Sequence, residues 1–224
     1  MQPSITFDHL VIAARTLDDG VDWCDATLGL RPTAGGQHVF MGTHNRVFNV
    51  SSARFPRSYV EVIAVDPSLS APPHARWFDL DDALLQQRLR DEGPQAVHWV
   101  ARCDDLHAAR AAMAAAGVDA GDVTDAERMT PSGLLRWRIS LRADGRRPRG
   151  GAAPTLIEWS DRHLTDAMAA SGVQLESLCV GIAGLDALLP AAVQRDVAPS
   201  APPLSAVLAT PRGRVTLNSR PAKD

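Results

Sequence analysis

Four residues frame the question of what this chain can do: His9, Glu61, His98 and Glu158. Each sits in a short run that is otherwise largely apolar: Phe7-Asp8-His9-Leu10-Val11-Ile12-Ala13, Tyr59-Val60-Glu61-Val62-Ile63, Val97-His98-Trp99-Val100 and Leu156-Ile157-Glu158-Trp159. A carboxylate in such a run is costly unless it is paired or bound to a cation. Two imidazoles and two carboxylates suit a divalent first-row metal such as zinc, nickel, cobalt, manganese or iron. Taken singly, a strand histidine also serves as a hydrogen-bonded core residue, and a lone glutamate can face solvent. The chemistry therefore depends on whether the four converge.

Their spacing supports convergence, because it repeats. With His9 set on His98, a leucine follows eight positions later in each copy, at Leu17 and Leu106, and a glycine stop follows at Gly29 and Gly117. Each copy closes with a strand that carries one glutamate. An internal duplication of this length implies paired supersecondary units.

The elements that must position these residues follow from the same pattern. Residues 5–14 are apolar and β-branched, as in a buried strand. Thr16 with Asp19 three positions on forms an N-terminal cap, and Leu17, Val21, Cys24 and Leu28 recur at helical spacing over 17–28. Strands are expected at 38–41, 46–50 and 59–65, then a connector with a helix over 80–91. The order resumes with a strand at 97–101, Asp104 as cap, a helix over 106–116, and strands at 134–141 and 155–159. A shorter stretch predicts a strand at 175–182, a helix over 185–193, and strands at 204–209 and 214–218. The expected fold class is α+β: paired βαβββ modules at 1–67 and 95–164, a helical linker at 68–94, and a truncated third βαββ unit at 171–220 packed on the first two.

Alternation along a strand sorts side chains onto two faces. It puts His9 with Val11 and Ala13, and sets Glu61 opposite Val60 and Val62. If the apolar side of 134–141 packs under a helix, Arg136 and Arg138 face the cleft and suit an anionic substrate; otherwise they are solvated arginines. His44 and Asn45 follow the Gly42-Thr43 turn, in reach of substrate, with turn capping the simpler role for Asn45. The loop holding Arg146, Arg147 and Arg149 reads as a solvated loop or as a flap over an anionic ligand. Trp77 and Phe78 serve stacking on a ligand or packing of the linker. His38, His74, His107 and His163 receive no role.

Composition limits the alternatives. The 224 residues are 45% hydrophobic and 22% charged, which supports a sizeable core. A formal net charge of −3 gives no electrostatic reason to expect a nucleic acid. No apolar run is long enough for a membrane span, and the first residues do not resemble a secretory signal. Three widely spaced cysteines suit buried thiols in a reducing compartment. The expectation is a cytoplasmic protein with a small-molecule substrate, no nucleic-acid or membrane partner, and edges on the third unit that suit a homodimer.

The four quoted runs, with Gly42-Thr43-His44-Asn45, resemble the glyoxalase-like branch of the vicinal oxygen chelate superfamily over about residues 5–161. The resemblance implies curved sheets around a metal-bearing cleft, with metal ligands at His9, Glu61, His98 and Glu158. It also implies a metal-dependent enzyme of lyase or isomerase type, which moves a proton through a metal-stabilised enediolate, with Glu158 or Glu61 as the catalytic base. Two other readings stay open: a non-catalytic binding or resistance protein using the same cleft, and an extradiol-type dioxygenase.

Overall fold

The structure is a computed structural model that describes residues 3–221. Its centre is one strongly mixed sheet of eight strands in the spatial order β2-β3-β4-β1-β5-β8-β7-β6. The first half comprises β1 (Ile5–Ala13), helix α1 (Leu17–Leu28), β2 (Gly35–His38), β3 (Thr43–Asn49) and β4 (Tyr59–Val65). Helix α2 (Ala83–Glu92) follows in the connector. The second half comprises β5 (Gln95–Cys103), helix α3 (Leu106–Ala115), β6 (Asp122–Thr130), β7 (Gly133–Leu141) and β8 (Thr155–Trp159). Each half is thus a βαβββ module, and the halves join where β1 runs antiparallel to β5.

The seam between the halves is symmetric. His9 lies opposite Val100, and His98 lies opposite Val11. The parallel partners extend the relationship: Val11 pairs with Glu61, whereas Val100 pairs with Thr155. Thr155, not Glu158, therefore occupies the position in the second half that Glu61 occupies in the first.

Two cores form on the two faces of this sheet. On one, Leu10, Ile12, Val60, Val62, Trp99 and Leu156 pack beneath α1 and α3. On the other, Val11, Ile63, Val100, Trp137 and Ile157 meet Trp77, Phe78, Leu80 and Leu85 of the connector. The connector thus lies across the face that the helices leave open. Burial of an aliphatic or aromatic side chain contributes about 1.5–3 kcal/mol, so filling that face stabilises the fold while narrowing its cleft.

Local chemistry explains the element boundaries. Thr16 caps α1 by accepting the Asp19 N–H at 3.1 Å, and Gly29 ends it in the left-handed conformation at φ 74°. The cap of α3 is Asp105, which accepts from the Ala108 N–H; Asp104 instead accepts from Ser4 N–H. Strand β6 has no counterpart in the sequence reading, because its alternating side chains are mostly exposed or half-buried and carry little apolar signal.

The last strands form a separate sheet, β10-β9-β11-β12, from β9 (Gln174–Val180), β10 (Val193–Arg195), β11 (Leu204–Thr210) and β12 (Gly213–Asn218). Leu175, Leu178, Leu204 and Ala206 join the helix-side core, and Leu175 N–H donates to Val50 O at 3.0 Å. The helix expected over 185–193 is not formed: residues 185–189 make turns, and residues 193–195 pair with β9 as a strand. Gly184 at φ 82° and Pro190 bracket too few residues for a stable helix.

Candidate functional site

Strand β1 carries a bulge between Phe7 and His9, and this local kink sets the site. Asp8 is fully buried and His9 nearly so. A buried carboxylate requires donors, and Asp8 has three. Its Oδ1 lies 2.7 Å from His9 Nδ1, while its Oδ2 lies 2.9 Å from His163 Nε2 and accepts from Trp159 Nε1 at 3.0 Å. Burial alone would raise the Asp8 pKa, but the hydrogen bonds from His163 and His9 override it and hold the carboxyl well below the usual carboxylate range.

Commitment of His9 Nδ1 to Asp8 leaves Nε2 turned to the cleft, 3.6 Å from Glu61 Oε2. Glu61 is held from its other side: Asn45 Nδ2 donates to Oε1 at 2.6 Å. Asn45 Oδ1 in turn accepts from Gly36 N–H at 3.0 Å and from Arg128 Nη1 at 3.1 Å. Arg128 comes from β6 and reaches across the molecule to do this. A Cβ on Gly36 would lie 3.0 Å from Arg128 Cδ, so the glycine provides room for that crossing. His38 Nε2 lies 4.0 Å from Glu61 Oε1, and burial holds the His38 pKa down to about 3, so its ring is neutral. Tyr59 stacks on His9 at a centroid distance of 4.4 Å.

The four residues singled out in the sequence divide. His9 and Glu61 meet. His98 shares their face but is fully buried, with Nε2 at 3.0 Å from Thr155 Oγ1 and accepting Thr155 N–H at 3.2 Å; burial and then Arg147 keep its pKa well below the ordinary value. Glu158 is on the other face. Its Oε2 accepts the Leu106 N–H at 2.8 Å at the start of α3, and its Oε1 takes Arg138 Nη2 at 2.5 Å. The helix N-terminus provides an electrostatic reason for that placement. The four expected ligands thus do not converge on one point: His9 and Glu61 meet, while His98 and Glu158, the other expected base, are engaged elsewhere.

The arginine expectation also reverses. Leu135, Trp137 and Ile139 face the cleft, so Arg138 joins Glu158 and Arg136 pairs with exposed Glu127 at 3.2 Å. The arginines take the wetter face, with side chains 59% and 37% exposed. His44 points away from Glu61 as well, with Nδ1 at 3.4 Å from Asp66 Oδ2. Asn45 belongs to the site as a hydrogen-bond donor to Glu61. Arg147 is no solvated flap residue: its buried guanidinium pairs with Asp79 at 2.6 Å and also donates to Val97 O.

Asp8, His38, Arg128 and His163 were missed. Only Asp8 left a trace in the sequence, as a charge inside an apolar strand. Arg128 and His163 reach the site from 83 and 155 positions away, which no local pattern reports.

The space at His9 and Glu61 is small, about 30 Å³, and is bounded by Trp77, Phe78, Trp137 and Trp159. Among the described residues, no three His, Cys, Asp or Glu side chains gather as a complete metal centre. The donors of the first half nonetheless fit a cation. Nε2 of His9 and Oε2 of Glu61 face each other with Nδ1 locked by a carboxylate, the arrangement that orients a metal-bound imidazole.

Comparison with known proteins agrees with this architecture. A hypothetical protein from Staphylococcus aureus matches at 16% identity, covering 79% of this chain and 69% of that one, with a TM-score of 0.51. Methylmalonyl-CoA epimerase from Mycobacterium tuberculosis matches at 18% identity over 72% of this chain and 91% of its own, TM-score 0.41. A Streptomyces coelicolor methylmalonyl-CoA epimerase variant in complex with 2-nitronate-propionyl-CoA matches at 20% identity over 71% and 99%, TM-score 0.42. No functionally curated protein matches this chain. The family model described as a glyoxalase-like domain matches residues 7–194. With that match running through both βαβββ modules, the chain belongs to the glyoxalase-like domain family, within the vicinal oxygen chelate superfamily.

Proposed function

We propose that this protein is a metal-dependent enzyme of isomerase type that moves a proton on a small oxygenated, anionic compound at the His9–Glu61 pair. The observation that carries the reading is the 3.6 Å approach of His9 Nε2 to Glu61 Oε2 with Asp8 bound to the far side of the imidazole. His9 and Glu61 would hold a divalent cation, with His38 the nearest third donor. Such a cation supplies Lewis acidity where negative charge develops on a substrate oxygen.

The remaining roles belong to the chain. Asp8 keeps His9 in one tautomer and one orientation. Asn45 fixes Glu61 through Oε1, which leaves Oε2 as the oxygen that would hold the cation or, released from it, take a proton from a carbon next to a carbonyl. Arg128, with a buried Nε that has no hydrogen-bond partner, provides the positive charge for an anionic substrate in place of Arg136 and Arg138. A space of about 30 Å³ admits little more than a water molecule, so substrate binding requires the site to widen.

Metal analysis of protein purified without chelator tests the reading. Stoichiometric divalent metal that is lost in His9→Ala and Glu61→Ala but kept in Glu158→Ala supports it. Metal-free wild-type protein that takes up no divalent ion on dialysis overturns it.

A further inference from the structure

We propose that a second cavity, of about 260 Å³, on the outer side of the Trp77–Phe78 turn binds a flat apolar molecule carrying one negative charge, such as an aromatic carboxylate. Trp77 and Phe78 line both this cavity and the smaller space at Glu61, so the stacked pair, with centroids 5.3 Å apart, is the wall between them.

The ligand class follows from the lining. Phe40, Met41, Trp77, Phe78, Leu141 and Pro148 make most of the surface apolar. Phe40 meets Trp77 edge to face at 5.4 Å, and aromatic rings placed this way favour another ring between or beside them. Cavities of roughly 150 Å³ hold benzene, so this one has room for a two-ring body.

The charge follows from the polar lining. Asp122 is paired with Arg110 at 3.0 Å. Arg142 is taken up by Asp119 and Asp144, at 2.7 and 2.6 Å. Arg146 is different: its backbone N–H donates to Asp144 Oδ1 at 3.0 Å, and its exposed guanidinium, which lines the cavity, has the charge of Asp144 nearby but makes no hydrogen-bonded ion pair among the described residues. Trp77 Nε1 is buried without an acceptor. A carboxylate on the occupant offers the Arg146 guanidinium a hydrogen-bonded partner. Thr155 also lines the cavity and touches His98, so an occupant sits one residue from the second-half counterpart of His9.

Calorimetric titration with 2-naphthoate and with the neutral 2-naphthamide tests this. Wild-type protein is expected to bind one naphthoate. Arg146→Ala should weaken naphthoate by about two- to fivefold and leave the amide unchanged. Thr124→Trp, or Ala143→Trp if that variant fails to fold, should abolish binding of both. His9→Ala should keep full naphthoate affinity, which separates this cavity from the proposed metal site. Failure of wild-type protein to bind naphthoate, indifference to Arg146→Ala, or loss of binding in His9→Ala would each overturn the assignment.

Discussion

Asp8 Oδ1 stands 2.7 Å from His9 Nδ1, and neighbouring residues on a regular strand cannot make that contact on one face. The bulge in β1 turns both side chains to the same side. The pair therefore depends on backbone irregularity, and its consequences are testable.

Replacing Asp8 with Asn removes the ionised acceptor while keeping the shape. Metal affinity is expected to fall about 10- to 100-fold, as for loss of other partners that orient a ligand. The depressed Asp8 pKa also has a pH signature. Its stabilisation is complete above the ordinary carboxylate value of about 3.9 and is lost as pH falls through the lower folded-state value. Urea unfolding from pH 7 down to acid should show a shallower acid limb in Asp8→Asn than in wild type.

His38 titrates with the opposite chemistry but the same sign. Burial lowers its pKa from 6.5 to about 3, so the unfolded chain binds the extra proton in between. Stability should fall as pH drops from about 6.5 toward 3. His38→Gln should flatten that interval in a series of unfolding midpoints, and an unchanged slope would show that His38 carries its proton when folded.

Glu158 should behave as a capping group. Glu158→Gln is expected to cost about 1 kcal/mol, measured by thermal or urea unfolding, through the start of α3. Bound metal should stay at wild-type stoichiometry.

The Arg147–Asp79 pair has side chains only 1% and 5% exposed. Arg147→Met leaves a buried carboxylate and should cost about 3–5 kcal/mol in unfolding free energy. The Asp79→Asn/Arg147→Met double variant should recover most of it, because asparagine removes the charge, keeps an acceptor for the backbone N–H at position 147 and tolerates the positive φ. Phe78 and Asp79 hold positive φ values of 60° and 59°, and this clamp keeps that turn in place, so the single variant should also admit small-molecule quenchers to Trp77.

Much of the fold was legible in the sequence. The duplicated order of strand, helix and strands followed from apolar periodicity, and capping residues marked α1 closely. The pairing of His9 with Glu61 was legible through the repeat rather than through clean alternation: β1, β4 and β8 are all apolar on both parities, and a bulge between Phe7 and His9 interrupts β1. Parity sets Glu158 opposite Ile157, as the structure has it, but says nothing of which face is the cleft. The short stretch at 185–193 carried helical spacing but lacked the length to sustain a helix against strand pairing.

By itself, then, the sequence determined most of the elements, their order and the duplication of the βαβββ unit, because these rest on short-range periodicity and local steric rules. Only the tertiary structure decided which groups share a cleft. Strand pairing put Thr155 where a second glutamate was expected, the N-terminus of α3 drew Glu158 to the other face, and the connector filled the open side with Trp77 and Phe78. Those outcomes depend on register and on where a buried charge finds its partner, and both are settled between residues far apart in the chain.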